Sequence, residues 1–599
     1  MRRTVYSEIL FGLALVVASS FTCFAQSADA NVVGTITDQT GAVVPSATIE
    51  LQNIETNVTY NTTSDSQGSY RFGNIPVGRY RLTATRPGFT TRTLENIQLE
   101  LNRTSTVNLT MSVGTVATTV EVTEAGALID TTTATVQSSF STKQAEQMPI
   151  TGIGTLGVIN LSLLSAGVTS SGGVGYGTGP SVGGQRPTNN NFMIEGVDNN
   201  NRSVTGPVVR VSNEFVQEFT VQQNQFSPEF GHSTGGQFNT VVKGGTNQFH
   251  GSIYEYFQNR NMNAVDESFA RQGIRSNPRF DQNRLGGTVG GPVIKNRMFF
   301  FGGYEYRALG EAATSPGAVF APTAEGISRL QSVPGVSSRN LEYFKQYVPT
   351  APSGSRFATI GGQQIPIGQL SITGPAFENI YHPTASLDIT PTDRDQIRLR
   401  WTHTAVDSIS TTAVSLPEFY TPVVERNHLA SASYFRNITP TLLNELRFGW
   451  NRRVTDFPVG DQQFPGLDIL PNLSFNDLGL ILGPNSNYPQ SNRSNTYQLA
   501  DNLTWMTGSH TLKFGYDGRK VNSTNFFVQR FRGDYVYESL ERYLLDITPE
   551  FGQRSGGGFP FIGNLLSHYL FVNDEWRLRP NFTLTLGLRY ERVGVPVRR

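Results

Sequence analysis

Three kinds of residue pattern in this chain could do chemistry, and each lacks the surroundings that chemistry needs. Gly152-Ile153-Gly154-Thr155-Leu156-Gly157 has the G-x-G-x-x-G spacing with which a tight turn brings backbone amides against a pyrophosphate. A dinucleotide loop follows a strand and is answered about 20 residues later by a carboxylate for the ribose; neither feature is present. Gly179-Pro180-Ser181-Val182-Gly183 has the form of a nucleophile elbow, which needs a strand before the serine and a helix after it. Glycine-rich loop lies on both sides instead. The seven histidines are scattered, without the His-x-x-x-His or His-Glu-x-x-His spacing that puts two imidazoles on one helix face for zinc. Asp198-Asn199-Asn200-Asn201 reads as a turn rather than a cation loop. No catalytic residue, metal or cofactor is expected. Lys plus Arg and Asp plus Glu stand at 47 each, which gives no basic surface for a nucleic acid.

The informative pattern lies in the elements. Phe582, Leu584, Leu586, Leu588 and Tyr590 alternate with Thr583, Thr585, Gly587, Arg589 and Glu591. Leu570, Val572, Trp576 and Leu578 share one parity in the run before, and only Arg579-Pro580-Asn581 separates the two. Ile397, Leu399 and Trp401 alternate with Arg398 and Arg400, Leu446, Phe448 and Trp450 with Glu445 and Arg447, and Leu512, Phe514 and Tyr516 with Lys513 and Asp517. Period-two alternation of this length predicts strands with one apolar and one polar face. Their connections alternate between short turns (291–296, 390–393, 437–440, 507–509, 579–581) and long irregular stretches at about 308–380, 405–427, 452–494 and 519–564. Unstructured loops beyond about 15 residues are uncommon in compact soluble domains. An outer-membrane barrel has this asymmetry for a reason, with short turns on the periplasmic side and long loops outside. The charged parity would then face the lumen and the apolar parity the lipid, with Trp401, Trp450, Trp505 and Trp576 suited to an interfacial girdle. The competing reading is a soluble sandwich with decorated loops.

The N-terminus fits export. Arg2 and Arg3 precede the apolar run of residues 9–18, and Cys23-Phe24-Ala25 offers a small residue before Gln26, so residues 1–25 read as a signal peptide. Its removal takes away Cys23, the one cysteine, and with it any disulfide or thiol chemistry. No other run reaches 18 apolar residues, so no transmembrane helix is expected. Charged residues make up 16% of the chain, below the roughly 25% usual in soluble domains, and Gly, Asn, Ser, Thr and aromatics fill the difference.

Residues 31–113 read as a β-sandwich of short strands punctuated by turns. They resemble the carboxypeptidase regulatory-like domain, a seven-stranded transthyretin-like module grouped with carbohydrate-binding-like folds. The resemblance rests on Gly34-x-Ile36-x-Asp38-x-x-Gly41-x-x-x-Pro45-x-Ala47-x-Ile49, then Asp65-x-x-Gly68-x-Tyr70-x-Phe72, then Pro76-x-Gly78-x-Tyr80. Tyr70, Phe72 and Tyr80 are expected in the core rather than on a sugar platform. Residues 114–145 form a linker that contains Thr119, Val120, Glu121, Val122 and Thr123, a segment able to add as a strand to a sheet edge.

Residues 146–250 are glycine-rich, with a helical look at 158–164. They resemble the plug domain of TonB-dependent outer-membrane receptors, in the Oar-like branch with an N-terminal carboxypeptidase regulatory-like domain. The residues that carry this are Gly184-Gln185-Arg186-Pro187, Ile194-Glu195-Gly196-Val197-Asp198 and Lys243-Gly244-Gly245-Thr246-Asn247-Gln248-Phe249-His250-Gly251. Two departures are visible: Glu195 stands where the family usually has Asp, and Met148-Pro149 is followed by Ile150-Thr151-Gly152 rather than Asn-Gly-Arg. The expected fold is mainly β: a sandwich, a mixed α/β plug, then an antiparallel transmembrane barrel at 251–599. The resemblance implies a location in the outer membrane with the sandwich in the periplasm, TonB and ExbB/ExbD as energy-coupling partners, Thr119 to Thr123 as a TonB box, and movement of an extracellular cargo through the barrel without catalysis. A barrel-anchored adhesion protein and an Oar-like protein exporter are the alternatives. About eleven or twelve strands are expected where a plugged transporter has about 22, so the chain is expected to be a fragment of a longer reading frame.

Overall fold

The computed structural model describes residues 29–114, 120–122, 134–148, 157–170, 179–203, 205–265, 267–271, 275–314, 318–459, 469–557, 560–579 and 582–597. The expected signal segment, Thr119, Thr123, most of the Gly152–Gly157 loop and residues 172–177 lie outside them.

The largest body is an antiparallel sheet of eleven strands, each bonded to the next in chain order. They are β1 (His250–Asn259), β2 (Phe280–Ile294), β3 (Met298–Thr314), β4 (Thr373–Thr392), β5 (Asp395–Ser410), β6 (Thr421–Thr439), β7 (Leu442–Phe457), β8 (Gln490–Thr507), β9 (His510–Phe527), β10 (Phe561–Arg579) and β11 (Phe582–Arg592). Strands β3 to β10 run 16 to 20 residues. A tilted strand crosses hydrocarbon in about 9–11 residues, so these project beyond a bilayer. The parity follows the alternation of the sequence. On β7, Glu445 and Arg447 are 1% exposed, while Leu446 is 41% and Phe448 49% exposed. On β5, Arg398 and Arg400 are buried and Leu399 and Trp401 are exposed. Polar-in and apolar-out is the arrangement of a wall between lumen and lipid. Register sets Trp401 opposite Ala430 and Ala430 opposite Trp450, while Trp505 and Trp576 sit beside the short β8–β9 turn. Trp401 and Trp450 therefore lie midway along their strands, and Trp505 and Trp576 at the short-turn end.

The long connections are folded, contrary to the irregular stretches expected. Val319–Pro322, Gln363–Leu370 and Arg356–Ile360 form a three-stranded sheet. Leu480–Leu482, Asn472–Phe475, Asp534–Tyr537 and Phe551–Gln553 form a four-stranded one, in which the parallel pair Asn472–Phe475 and Asp534–Tyr537 joins two different connections. Helices Ala324–Leu330, Ser338–Tyr347 and Leu540–Leu544 cover them, and Leu330, Phe344, Leu416, Phe475 and Leu544 belong to one apolar core. The reason this escaped a sequence reading is physical: the β3–β4 connection forms its own three-stranded sheet, but its core is completed by residues of the other three connections, which only the wall brings alongside.

The sandwich packs Ala30–Asp38, Ser69–Ile75, Thr104–Thr106 and Leu109–Met111 against the sheet Thr59–Thr63, Thr48–Asn53, Gly78–Thr85 and Arg92–Leu99. Ile36, Leu51, Tyr80 and Leu82 are fully buried, and Tyr70 and Phe72 join them as expected. Each tyrosine hydroxyl finds an acceptor, Tyr70 on the Val107 carbonyl at 2.6 Å and Tyr80 on that of Pro76 at 2.8 Å, which is what lets a tyrosine be buried at all. Thr104–Thr106 and Leu109–Met111 are two short strands, both parallel to Ala30–Asp38.

The plug is a five-stranded sheet in the order Val136–Ser141, Val216–Asn224, Gln237–Val242, Asn191–Ile194, Val197–Asp198. Its stacked Phe192, Phe219 and Phe238 fill the core, and the helical turns of Gly157–Leu164 lie against it. Phe301 of β3 and Leu429 of β6 belong to the same core, so the plug is seated inside the wall.

Candidate functional site

The segment Ile194-Glu195-Gly196-Val197-Asp198 is the tight connection between two plug strands. Glu195 and Gly196 both have positive φ, 47° and 74°. Positive φ costs little in glycine but strains most other residues, so Glu195 is held by its partners. Its carboxylate accepts from the Arg400 guanidinium at 2.7 Å and from the Val242 amide at 3.2 Å. Arg400 also binds Asp388 at 2.7 Å on the neighbouring strand. Asp198, three residues on, pairs with Arg519 of β9 at 2.7 Å, and Arg519 pairs in turn with Asp517 at 2.7 Å. Asn200 adds 2.7 Å, and Asn451 of β7 donates to the Asp198 carbonyl at 2.6 Å. Burial opposes charge on Asp198, but Arg519 and Arg202 outweigh it and hold the carboxyl down at about 2. One turn of the plug is thus clamped to separate strands of the wall.

Two more polar contacts tie the plug to the wall. Ser212 donates to Glu305 of β3 at 2.7 Å, where Arg284 of β2 completes the pair at 3.0 Å. Glu229 meets Lys513 of β9 at 3.3 Å, and Lys513 also reaches Glu575 at 3.5 Å. Apolar contact adds to these: Phe215 packs edge-on against Phe301 and over Gly303, where an added Cβ would lie 2.6 Å from the ring, Leu429 joins the plug core, and Val197 lies over Gly449 and Pro228 over Gly587. Breaking a buried ion pair by removing one partner costs about 3–5 kcal/mol, whereas the intact pair contributes little net stability. Such pairs set where the plug sits more than how strongly it is held.

The third motif is a junction of all three bodies. Lys243 pairs with Glu146 at 2.5 Å and donates to the Glu214 carbonyl at 2.7 Å. Gly245 lies against the β2–β3 hairpin, where a Cβ would meet the Phe300 carbonyl at 2.3 Å, so no larger residue fits. Thr246 hydrogen-bonds the Gln248 carbonyl at 3.0 Å. The Asn247 amide donates to Glu55 at 3.0 Å in the sandwich, and its side chain bonds Asn296 at 2.7 Å in the β2–β3 turn. The sandwich makes further contacts of its own. Asp29 pairs with Arg398 at 2.6 Å, Arg71 with Glu575 at 3.4 Å, and the Leu101 amide donates to Glu218 of the plug at 2.9 Å. Burial pushes the Glu218 carboxyl up to about 8, with the Leu101 amide acting the other way. Sandwich, plug and wall together line a half-open cavity of about 1050 Å³.

Gly184, Gln185, Arg186 and Pro187 lie elsewhere, at the opening of the turn Pro187–Asn189. Gly183 and Gly184 take positive φ, and Gln185 accepts from Asn189 at 2.8 Å. Arg186 is exposed. Of the linker segment, Val120–Val122 is a strand added in parallel to the sandwich edge at Arg92–Leu94. The sequence reading placed Arg398, Arg400 and Lys513 on an inward face, but not opposite particular plug residues. No sequence rule joins Asp198 to Arg519, or Asp29 to Arg398, across hundreds of positions. Among the described residues no group of His, Cys, Asp and Glu could hold a metal.

Comparison with known proteins matches residues 241–599 to the family described as "Outer membrane beta barrel domain" and residues 31–112 to "Carboxypeptidase regulatory-like domain". The TonB-dependent transporter Oar of Myxococcus xanthus is 28% identical over 290 residues, which is 47% of this chain and 27% of that protein. The chain therefore spans about a quarter of that relative's length. Among solved structures, the outer membrane transporter YddB of Escherichia coli aligns with a TM-score of 0.49 and 13% identity, over 77% of this chain and 57% of that one. The siderophore receptor PirA of Acinetobacter baumannii gives 0.47 and 13%, over 76% and 56%.

Proposed function

Because the chain belongs to the outer membrane β-barrel family, as an Oar-like TonB-dependent receptor with its N-terminal domain in the periplasm, we propose that it moves a large or scarce substrate across the outer membrane by TonB-driven displacement of the plug. The observation that carries this is the seat of the plug. It is held by the buried pairs Glu195–Arg400, Asp198–Arg519 and Glu229–Lys513, beside a local apolar contact at Phe301 and Leu429. A body seated this way can shift without exposing a large apolar face, since its released charges rehydrate in a wet lumen. In this reading Thr119, Val120, Glu121, Val122 and Thr123 are the segment TonB grips, ExbB/ExbD power the pull, and the folded outer unit receives the cargo. No step calls for a catalytic residue. Uptake of a confirmed cargo by cells lacking residues 119–123 tests it: binding retained with uptake lost is expected, and uptake at the parental rate refutes the box.

The shared core of the outer connections favours a second reading. A folded platform outside the membrane suits protein-sized partners, as adhesion or protein export would require. Adhesion that persists in cells without TonB would support the first of these. A secreted proteome that changes on deletion would support the second.

A further inference from the structure

The sandwich does more than precede the plug. It lies across one end of the cavity that plug and wall also line, with Asn53, Glu55, Tyr60 and Tyr80 on its side and Lys243, Arg398 and Arg400 on the other. Its contacts with the other bodies are mainly polar: Asp29 on Arg398, Arg71 on Glu575 and Thr511, Leu101 with Glu218 and Gln137, and Glu55 and Thr56 with Asn247, while Gly73 sits against Leu443 of β7. The apolar contact with the plug is a small cluster of Leu101, Val77 and Val241. A docked domain held this way resembles a transient interface, for which movement is the default. Its edge strand Arg92–Leu94 meanwhile carries Val120–Val122 in parallel register. A force applied at that segment therefore reaches the sandwich through backbone hydrogen bonds, as well as reaching the plug along the chain.

We propose that the sandwich is the first gate on the path of force: docked over the cavity and carrying the linker strand on its own sheet edge, it leaves the wall before the plug moves. This rests on the box reading for the origin of the pull, but not for the order of events. The plug keeps its buried clamps at Arg400 and Arg519 while the sandwich's polar contacts are loaded.

The order is testable without any cargo. Force spectroscopy on the protein in lipid bilayers, pulling through an azide-bearing side chain in place of Glu121, should show an undocking event before the plug events. A lock is available in the pair Gly73→Cys and Leu443→Cys, since a Cβ at Gly73 would lie 2.5 Å from the tip of Leu443. In the oxidised protein the first event should vanish, and reductant should restore it. The double variant Arg71→Ala with Arg398→Ala should lower the force of the first event and leave the plug events unchanged. Traces in which plug events come first, or in which oxidised and reduced proteins behave alike, overturn the proposal. Uptake without residues 119–123 would bear on the box alone, so the two readings fail separately.

Discussion

Arg519 carries two carboxylates, Asp198 from the plug and Asp517 from its own strand, and is 1% exposed. Arg519→Gln leaves Asp517 buried without a cation and Asp198 with only the longer contact to Arg202 at 3.4 Å. The expected cost is about 3–5 kcal/mol, read as a lower denaturation midpoint in detergent and as spontaneous conductance in planar bilayers when the plug loses its seat. Glu218 makes a different prediction. Its carboxyl, raised to about 8 from an ordinary value of 4.5, binds its proton more tightly when the sandwich is docked. The contribution to docking is therefore full below about pH 4.5 and is lost as pH rises through about 8. The protection factor of the Leu101 amide, the ratio of its base-catalysed intrinsic exchange rate to its observed rate, should fall between about pH 6 and 9 (the range bracketing that shift). Glu218→Gln keeps an acceptor for that amide and should abolish the pH dependence. A pH dependence that survives in the variant would show that another group is responsible.

At the scale of elements, the wall depends on alternation. Leu446 and Phe448 face outward, while Glu445 and Arg447 are buried toward the lumen. An arginine on the lipid face costs about 2–4 kcal/mol near the bilayer midplane. Leu446→Arg should therefore lower the yield of urea-to-vesicle refolding, whereas Thr455→Ser on the inward parity should not. Unchanged refolding of the arginine variant would contradict the lipid-facing assignment. The outer unit behaves as a separate element. Phe475 is 1% exposed and packs against Phe344, Tyr537 and Tyr543. Phe475→Ala should cost about 3–5 kcal/mol, seen as faster hydrogen exchange in Asn472–Phe475 and Asp534–Tyr537 with the wall strands still protected. Loss of protection across the wall as well would mean that the two fold as one.

For the whole molecule, three bodies meet at Lys243–Asn247, and their interfaces are built mainly of polar contacts while their cores are apolar. Each should therefore keep its own structure while the interfaces open. Limited proteolysis of Arg398→Ala, which leaves Asp29 without its partner, should release the sandwich as an intact fragment faster than from the parent. Degradation of the sandwich itself would instead place the damage inside its core.

Most of the fold was legible in the sequence because its signals are local. Strand parity at Arg398, Leu399 and Arg400, the turn at Thr507-Gly508-Ser509, and the buried Tyr70 and Tyr80 each follow from residues a few positions apart. The positive-φ turn at Gly196 belongs with these, since backbone geometry is set within a turn, whereas Gly245 is required by the distant Phe300 carbonyl. The partners of Glu195 and Asp198 were not legible, because they depend on which wall strand comes to stand opposite the plug. The outer unit was not legible either: Leu330 and Phe344 come from one connection and Phe475 and Leu544 from two others, and they make one core only when the wall holds those connections side by side. The sequence determined which faces are apolar and where the chain turns, and the tertiary structure alone decided which charges meet, because pairing depends on distances in space that the spacing along the chain does not encode.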